Sequence, residues 1–206
     1  MKSYKTYDMD KTMFDFYRRS LIGTPMIEPL CDEYKTLWKN CHEDKERLMS
    51  LCMRQQSIPW FATMCYLGNG VSRDYLMQEY ADYINGSRML SNCDGVNGYS
   101  YAMYCGFNDV CELSADVSHF MWCEATVGVG ETKCPTIYIS NQSDISLVCD
   151  GYNSVRVYLF DESVLTLWDI PENAEIAVYT YGSRCSVVTG KYCIGKVNVH
   201  NKTLRL

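Results

Sequence analysis

Histidine is scarce in this chain: only His42, His119 and His200 occur among its 206 residues. A cysteine nucleophile needs a histidine base within reach, so few such pairs can form. Proline is limited to 5 residues and glycine to 13, too few for a low-complexity segment. No window approaches the ~18 consecutive apolar residues of a membrane helix. No apolar stretch follows Met1-Lys2-Ser3-Tyr4-Lys5, where a secretory leader would carry one. The expectation is a soluble protein that stays in the cytoplasm and meets no membrane. Basic runs are also missing. Residues 101–206 hold 7 Lys/Arg against 12 Asp/Glu, a balance of -5, and residues 1–100 hold 12 against 13, a balance of -1. An acidic half repels phosphate backbones, which disfavours nucleic acid as a partner.

Enzyme signatures are missing too. There is no P-loop, no Gly-x-Gly-x-x-Gly after a strand, no Gly-x-Ser-x-Gly and no His-Glu-x-x-His. Gly128-Val129-Gly130 is a two-glycine fragment that reads as a turn. No Cys-x-x-Cys occurs, so neither a zinc ribbon nor a thioredoxin-type motif is supported. No catalytic residue, metal ligand or cofactor is assigned.

Cysteine itself is plentiful, with 12 residues spread almost evenly along the chain. Cys31 and Cys41 continue a helical apolar stripe, and Cys149 falls at an inward strand position. Free cysteine behaves as a small buried hydrophobe, so reduced thiols in a cytosolic setting are expected. His119 and Cys123 are four residues apart. If Ser118 to Cys123 is one strand, they share a face two steps apart, too far for a direct hydrogen bond. The 17 tyrosines and 11 methionines suit either cross-strand packing or a contact surface.

The composition is globular, 47% hydrophobic and 21% charged. Residues 1–86 read as helical. Asp10 can cap a first helix, whose face is Met13, Phe16, Tyr17 and Leu21. Thr24-Pro25 starts a second, with Ile27, Leu30, Cys31, Tyr34, Leu37, Trp38 and Cys41 at spacings of three and four. Glu43 and Asp44 open a third, with face Leu48, Leu51 and Cys52. Ser57 with Pro59 begins a fourth that ends at Gly68-Asn69-Gly70. Ser72 and Asp74 open a fifth, with Leu76, Tyr80, Tyr83 and Ile84 inward, stopped by Asn85-Gly86. Helix, Gly-Asn-Gly, then Val71-Ser72-Arg73 has the outline of a helix-turn-helix unit. The outer face of its second helix would carry Asp74, Glu79 and Asp82 beside Arg73 and Gln78, a poor face for DNA.

Residues 87–206 change period and read as β-rich. Strands are expected at Tyr99 to Tyr104, Val110 to Trp122 and Ala125 to Val129. From about residue 135 the chain repeats loosely, with short alternating strands starting at Ile145, Val155, Val164, Ile176, Val187 and Val197. The steps are 10, 9, 12, 11 and 10. Alternation puts Val155, Val157 and Leu159 on one face and Arg156 and Tyr158 on the other. The fold class is α+β: a small helical array followed by a β-solenoid or an antiparallel meander or sandwich. The regular step suits both, and the lack of Asn-Gly hairpin turns favours the solenoid.

The stretch Asn153-Ser154-Val155-Arg156-Val157-Tyr158-Leu159-Phe160-Asp161-Glu162-Ser163-Val164 resembles the degenerate Asn-Ser-x-Val β-repeats of uncharacterised proteins from gut Bacteroidetes, their phages and mobile elements. The likeness covers the last third of the chain. It implies a setting, a host-cell cytoplasm or a virion, and no catalytic motif. The leading functional expectation is a non-enzymatic interaction or assembly protein, engaging a protein partner or associating with itself into an oligomer. Tyr158, Trp168, Tyr179 and Tyr181 are its candidate binding residues. The alternatives are a small hydrolase or transferase with an unfamiliar site, and a DNA-binding regulator using the helix pair near Ser72.

Overall fold

A computed structural model describes residues 32–41, 44–54, 57–66, 68, 70–91, 99–130, 134–151 and 153–202. The described helices are α1 (Asp32–Asn40), α2 (Lys45–Cys52), α3 (Ile58–Tyr66) and α4 (Arg73–Glu79), followed by a 3-10 turn at Ala81–Tyr83. The expected first helix and the start of the second lie outside the described residues. Two caps form where the sequence places them. The Asp44 carboxylate accepts from the Arg47 amide at 3.1 Å, and the Ser72 hydroxyl accepts from the Tyr75 amide at 3.2 Å. Each satisfies a donor that the first helical turn leaves free, a contribution of about 1 kcal/mol. α4 ends at Glu79, before Tyr83 and Ile84, and Tyr80 turns the chain toward the sheet.

Among the described residues twelve strands follow: β1 (Leu90–Ser91), β2 (Ser100–Cys105), β3 (Val110–Glu112), β4 (Val117–Met121), β5 (Glu124–Val129), β6 (Thr136–Ser140), β7 (Asp144–Cys149), β8 (Ser154–Phe160), β9 (Val164–Ile170), β10 (Glu175–Tyr181), β11 (Ser186–Cys193) and β12 (Lys196–Lys202). They alternate between two sheets. One has the order β1-β2-β4-β6-β8-β10-β12 and the other β11-β9-β7-β5-β3. Every pairing is parallel except β1 with β2. The β region is therefore a β-solenoid, and the antiparallel alternative is set aside. β2 to β11 form five two-strand coils, and β12 begins a sixth. The ten-residue step of the sequence is half a coil.

One expected strand is two. Val110 to Trp122 splits at Leu113–Asp116 into β3 and β4, which belong to opposite sheets. Asp116 makes this corner: its carboxylate accepts from the amide and hydroxyl of Ser100, at 2.8 and 2.7 Å. Trp122 then takes a left-handed φ of 52° and ends β4. His119 and Cys123 consequently do not share a face. Cys123 joins the core between the sheets, while the His119 ring lies beside Tyr138 on the outer side.

Inside the solenoid, equivalent residues of successive coils stack. Ile137, Val157 and Val178 form one column in register, and Ile145 with Leu165 another. All five are fully buried. Burying one such side chain contributes roughly 1.5–3 kcal/mol, and each coil repeats the gain on its predecessor. The corners repeat as well. The Ser143 hydroxyl accepts from the Cys123 amide at 3.0 Å, and the Ser163 hydroxyl from the Ser143 amide at 3.2 Å. Buried corner amides are thus satisfied by the next coil.

The helices lie on the outer face of the seven-stranded sheet. Trp38, Leu48, Phe61, Leu76 and Tyr80 share one apolar cluster with Tyr101, Met103, Met121, Tyr138 and Phe160 from that face. The second cluster fills the space between the sheets. The sheet is therefore buried on both faces at its first coils, which explains the unbroken burial of β4 and β6.

Candidate functional site

Because strands in a parallel sheet repeat at about 4.8 Å, like residues in register stack face to face. On the outer face of the seven-stranded sheet, Tyr138, Tyr158, Tyr179 and His200 occupy one register column across β6, β8, β10 and β12. Their ring centroids lie 4.8, 5.1 and 5.0 Å apart, with interplanar angles of 12°, 18° and 18°. A second column runs beside it. Phe160 and Tyr181 stack at 4.8 Å, and Lys202 follows in register.

The helical layer covers one end of these columns. Tyr138 and Phe160 are buried beneath it, Tyr158 and Tyr181 are partly buried against it, and His200 and Lys202 are exposed. Burial, with the adjacent Tyr158 and Tyr181, holds the Tyr138 phenol well above its ordinary range. At the rim, Arg184 pairs with Glu162 and donates to the Tyr66 hydroxyl of α3 at 3.3 Å. The Lys202 ammonium lies 5.8 Å from the Tyr179 ring centre, within cation–π range.

Of the four residues expected to bind, the structure gathers three. Tyr158, Tyr179 and Tyr181 share the column face, with Tyr158 and Tyr181 6.4 Å apart. Trp168 lies on β9 in the opposite sheet, 52% exposed, where the register between β7 and β9 shifts. Its surroundings at the last coil include exposed Val188 and Tyr192. The stacked rings already use their faces on one another, so their free parts are edges and hydroxyls. His200 closes the column and was not singled out by sequence reasoning. The signal was its spacing: 138, 158, 179 and 200 step by 20, 21 and 21 residues, the length of a full coil.

Other groups offer little to catalysis. His119 is fully buried, with Nε2 2.9 Å from the Ser140 hydroxyl. That hydroxyl donates to Asn141 Oδ1 at 2.6 Å, so His119 Nε2–H is the donor in the pair and cannot take the serine's proton. Asn141 in turn donates to the Ala62 carbonyl at 3.2 Å, which ties α3 to the sheet. Burial pushes the Cys105 and Cys149 thiols up to about 12 and Cys41 and Cys185 up to about 11. A nucleophilic thiol needs the opposite shift. Among the described residues no cluster of His, Cys, Asp or Glu could hold a metal ion. Two polar clefts, of about 460 and 350 Å³, meet at Asn108, Glu124 and Asp144 on the first coils. In the second helix of the pair near Ser72, Tyr75 and Leu76 are buried while Asp74, Met77 and Gln78 face outward. No described helix is long and apolar enough to cross a membrane.

No family model matches this chain, and no curated protein or solved structure matches it.

Proposed function

We propose that this protein is a non-enzymatic interaction scaffold whose solenoid presents a protein-binding face at its C-terminal coils. The observation that carries this reading is the pair of side-chain columns that emerge from under the helices, pass through half-buried Tyr179 and Tyr181, and end exposed at His200 and Lys202. Aromatic and cationic side chains on a rigid, regular support bring contact area at low entropic cost. Trp168 and its apolar neighbours extend the surface to the opposite sheet of the same coils. A cytoplasmic setting and free thiols belong to the same proposal. The connection to a phage or mobile element rests on the resemblance of the repeat alone.

The test is capture of a defined partner from the native cell by the wild-type protein, by Tyr179→Ala/His200→Ala, and by Trp168→Ala. A true hot spot costs roughly 2 kcal/mol, about a thirtyfold loss of affinity. Undiminished capture by both variants, with folding intact by circular dichroism, would refute the reading.

A further inference from the structure

β12 is a regular receptor for one more strand. It pairs with β10 over seven consecutive residues without a shift, and no described strand lies on its other side. β11, the last strand of the other sheet, is broken by a register shift between Thr189 and Tyr192. The amide of Lys196 donates to the Ala174 carbonyl at 2.9 Å, toward β10. In a parallel ladder successive residues face alternate sides. The main-chain groups of Val197, Val199 and Asn201 therefore point to the open edge. The side chains repeat the demand: Val199 occupies an inward column and is 47% exposed, and no described strand covers it.

Charge says what the missing strand carries. Residues 101–175 hold 2 Lys/Arg and 12 Asp/Glu, whereas residues 176–206 hold 5 Lys/Arg and no acid. Lys196 is matched on its inner side by Glu175 at 2.7 Å, and Lys202 ends the second column. A second copy fits this edge poorly. Antiparallel pairing of two β12 strands about Val199 would set each Lys196 against the Lys202 of the other copy, and like charges directly opposite are destabilising. At the far end of the sheet, β1 has two described residues.

We infer that β12 captures an extended acidic segment of a partner protein by parallel strand addition. The segment places acids on the Lys196 and Lys202 rungs, apolar residues on the Val197 and Val199 rungs, and an aromatic ring on the His200 rung, where it continues the column. This assignment names the partner chemistry for the binding face proposed above and rests on that reading. Main-chain bonds supply affinity, and the alternating side chains supply selection.

The probe is a labelled peptide, Glu-Ile-Ser-Val-Tyr-Ser-Glu, followed by fluorescence anisotropy against the full chain. A control peptide carries Lys in place of both Glu. The wild-type protein should bind the acidic peptide saturably and the control at least about tenfold more weakly, with the difference shrinking as salt rises. Val199→Pro removes an edge donor without touching the β10 bonds. It should weaken binding about tenfold while circular dichroism and the melting temperature hold. Lys202→Glu serves as a second variant and should erase most of the preference for the acidic peptide. Absence of saturable binding, equal binding of both peptides, or unchanged binding by a folded Val199→Pro would overturn the inference. So would a dimer of the free protein that Val199→Pro dissolves, because the edge would then belong to a second copy. If the peptide fails but Tyr179→Ala/His200→Ala still loses its partner, strand addition falls and the binding face stands.

Discussion

His119 is expected to give this protein a measurable acid weakness, which His119→Gln should remove. Burial alone pushes the imidazole down to about 3 from its ordinary 6.5. The folded protein therefore refuses a proton that the unfolded chain accepts. Stability is undiminished above about pH 6.5 and declines as pH falls toward 3, by about 1.4 kcal/mol per unit once well below 6.5. Between about pH 7.5 and 5 the loss from this one group is about 2 kcal/mol. Asp161 works in the opposite sense. Burial raises its carboxyl to about 6, so the folded state takes that proton first and gains stability as pH falls through 6 toward 3.8. Wild type alone would show only the net effect, so the comparison with the variant isolates the histidine. Glutamine can still donate to Ser140 and cannot titrate, and its cost at neutral pH should be about 1 kcal/mol. Urea unfolding followed by tryptophan fluorescence at the two pH values gives four free energies. The loss on acidification should be about 2 kcal/mol larger for wild type than for His119→Gln. Equal losses would show that His119 is not buried in neutral form in the folded protein.

Gly195, at the corner between β11 and β12, and Gly128, inside β5, should differ sharply. A Cβ on Gly195 would meet the backbone carbonyls of Pro171 and Ala174 at 2.5 and 2.9 Å, so Gly195→Ala should cost about 1–3 kcal/mol in chemical denaturation. On Gly128 the nearest atoms it would meet belong to the movable carboxylate of Glu112, and Gly128→Ala should cost less than about 1 kcal/mol. All 12 cysteines should be reduced, which intact mass under thiol-blocking conditions will check; among the described thiols, exposed Cys134 should alkylate first and buried Cys105 and Cys149 last. Tyr158→Ala should lower the melting temperature more than His200→Ala, because Tyr158 packs against the helical cluster and His200 ends the column in solvent. A chain lacking residues 1–86 should bind a hydrophobic dye strongly, since Tyr101, Met103, Met121, Tyr138 and Phe160 would lose their cover.

Local signals in the sequence determined the helices of the described part and most of the strands. Asp44 and Ser72 fix helix starts because their side chains meet backbone donors three residues away, a contact that needs no tertiary partner. The alternation of Val155, Val157 and Leu159 fixes which strand face is inward, because it follows from backbone geometry alone. The ten-residue step betrayed the repeat, but only the tertiary structure decided that a step is half a coil. That choice depends on which strands pair, and β3 and β4 could be told apart only once the Asp116 corner was placed. The separation of Trp168 from Tyr158, Tyr179 and Tyr181 has the same origin, since adjacent strands in sequence lie in opposite sheets. Nor does any local pattern reveal that the helices cover one end of the aromatic column and leave His200 and Lys202 bare. That boundary is set by how far a short helical layer reaches across a longer sheet, a matter of relative size that no stretch of sequence carries.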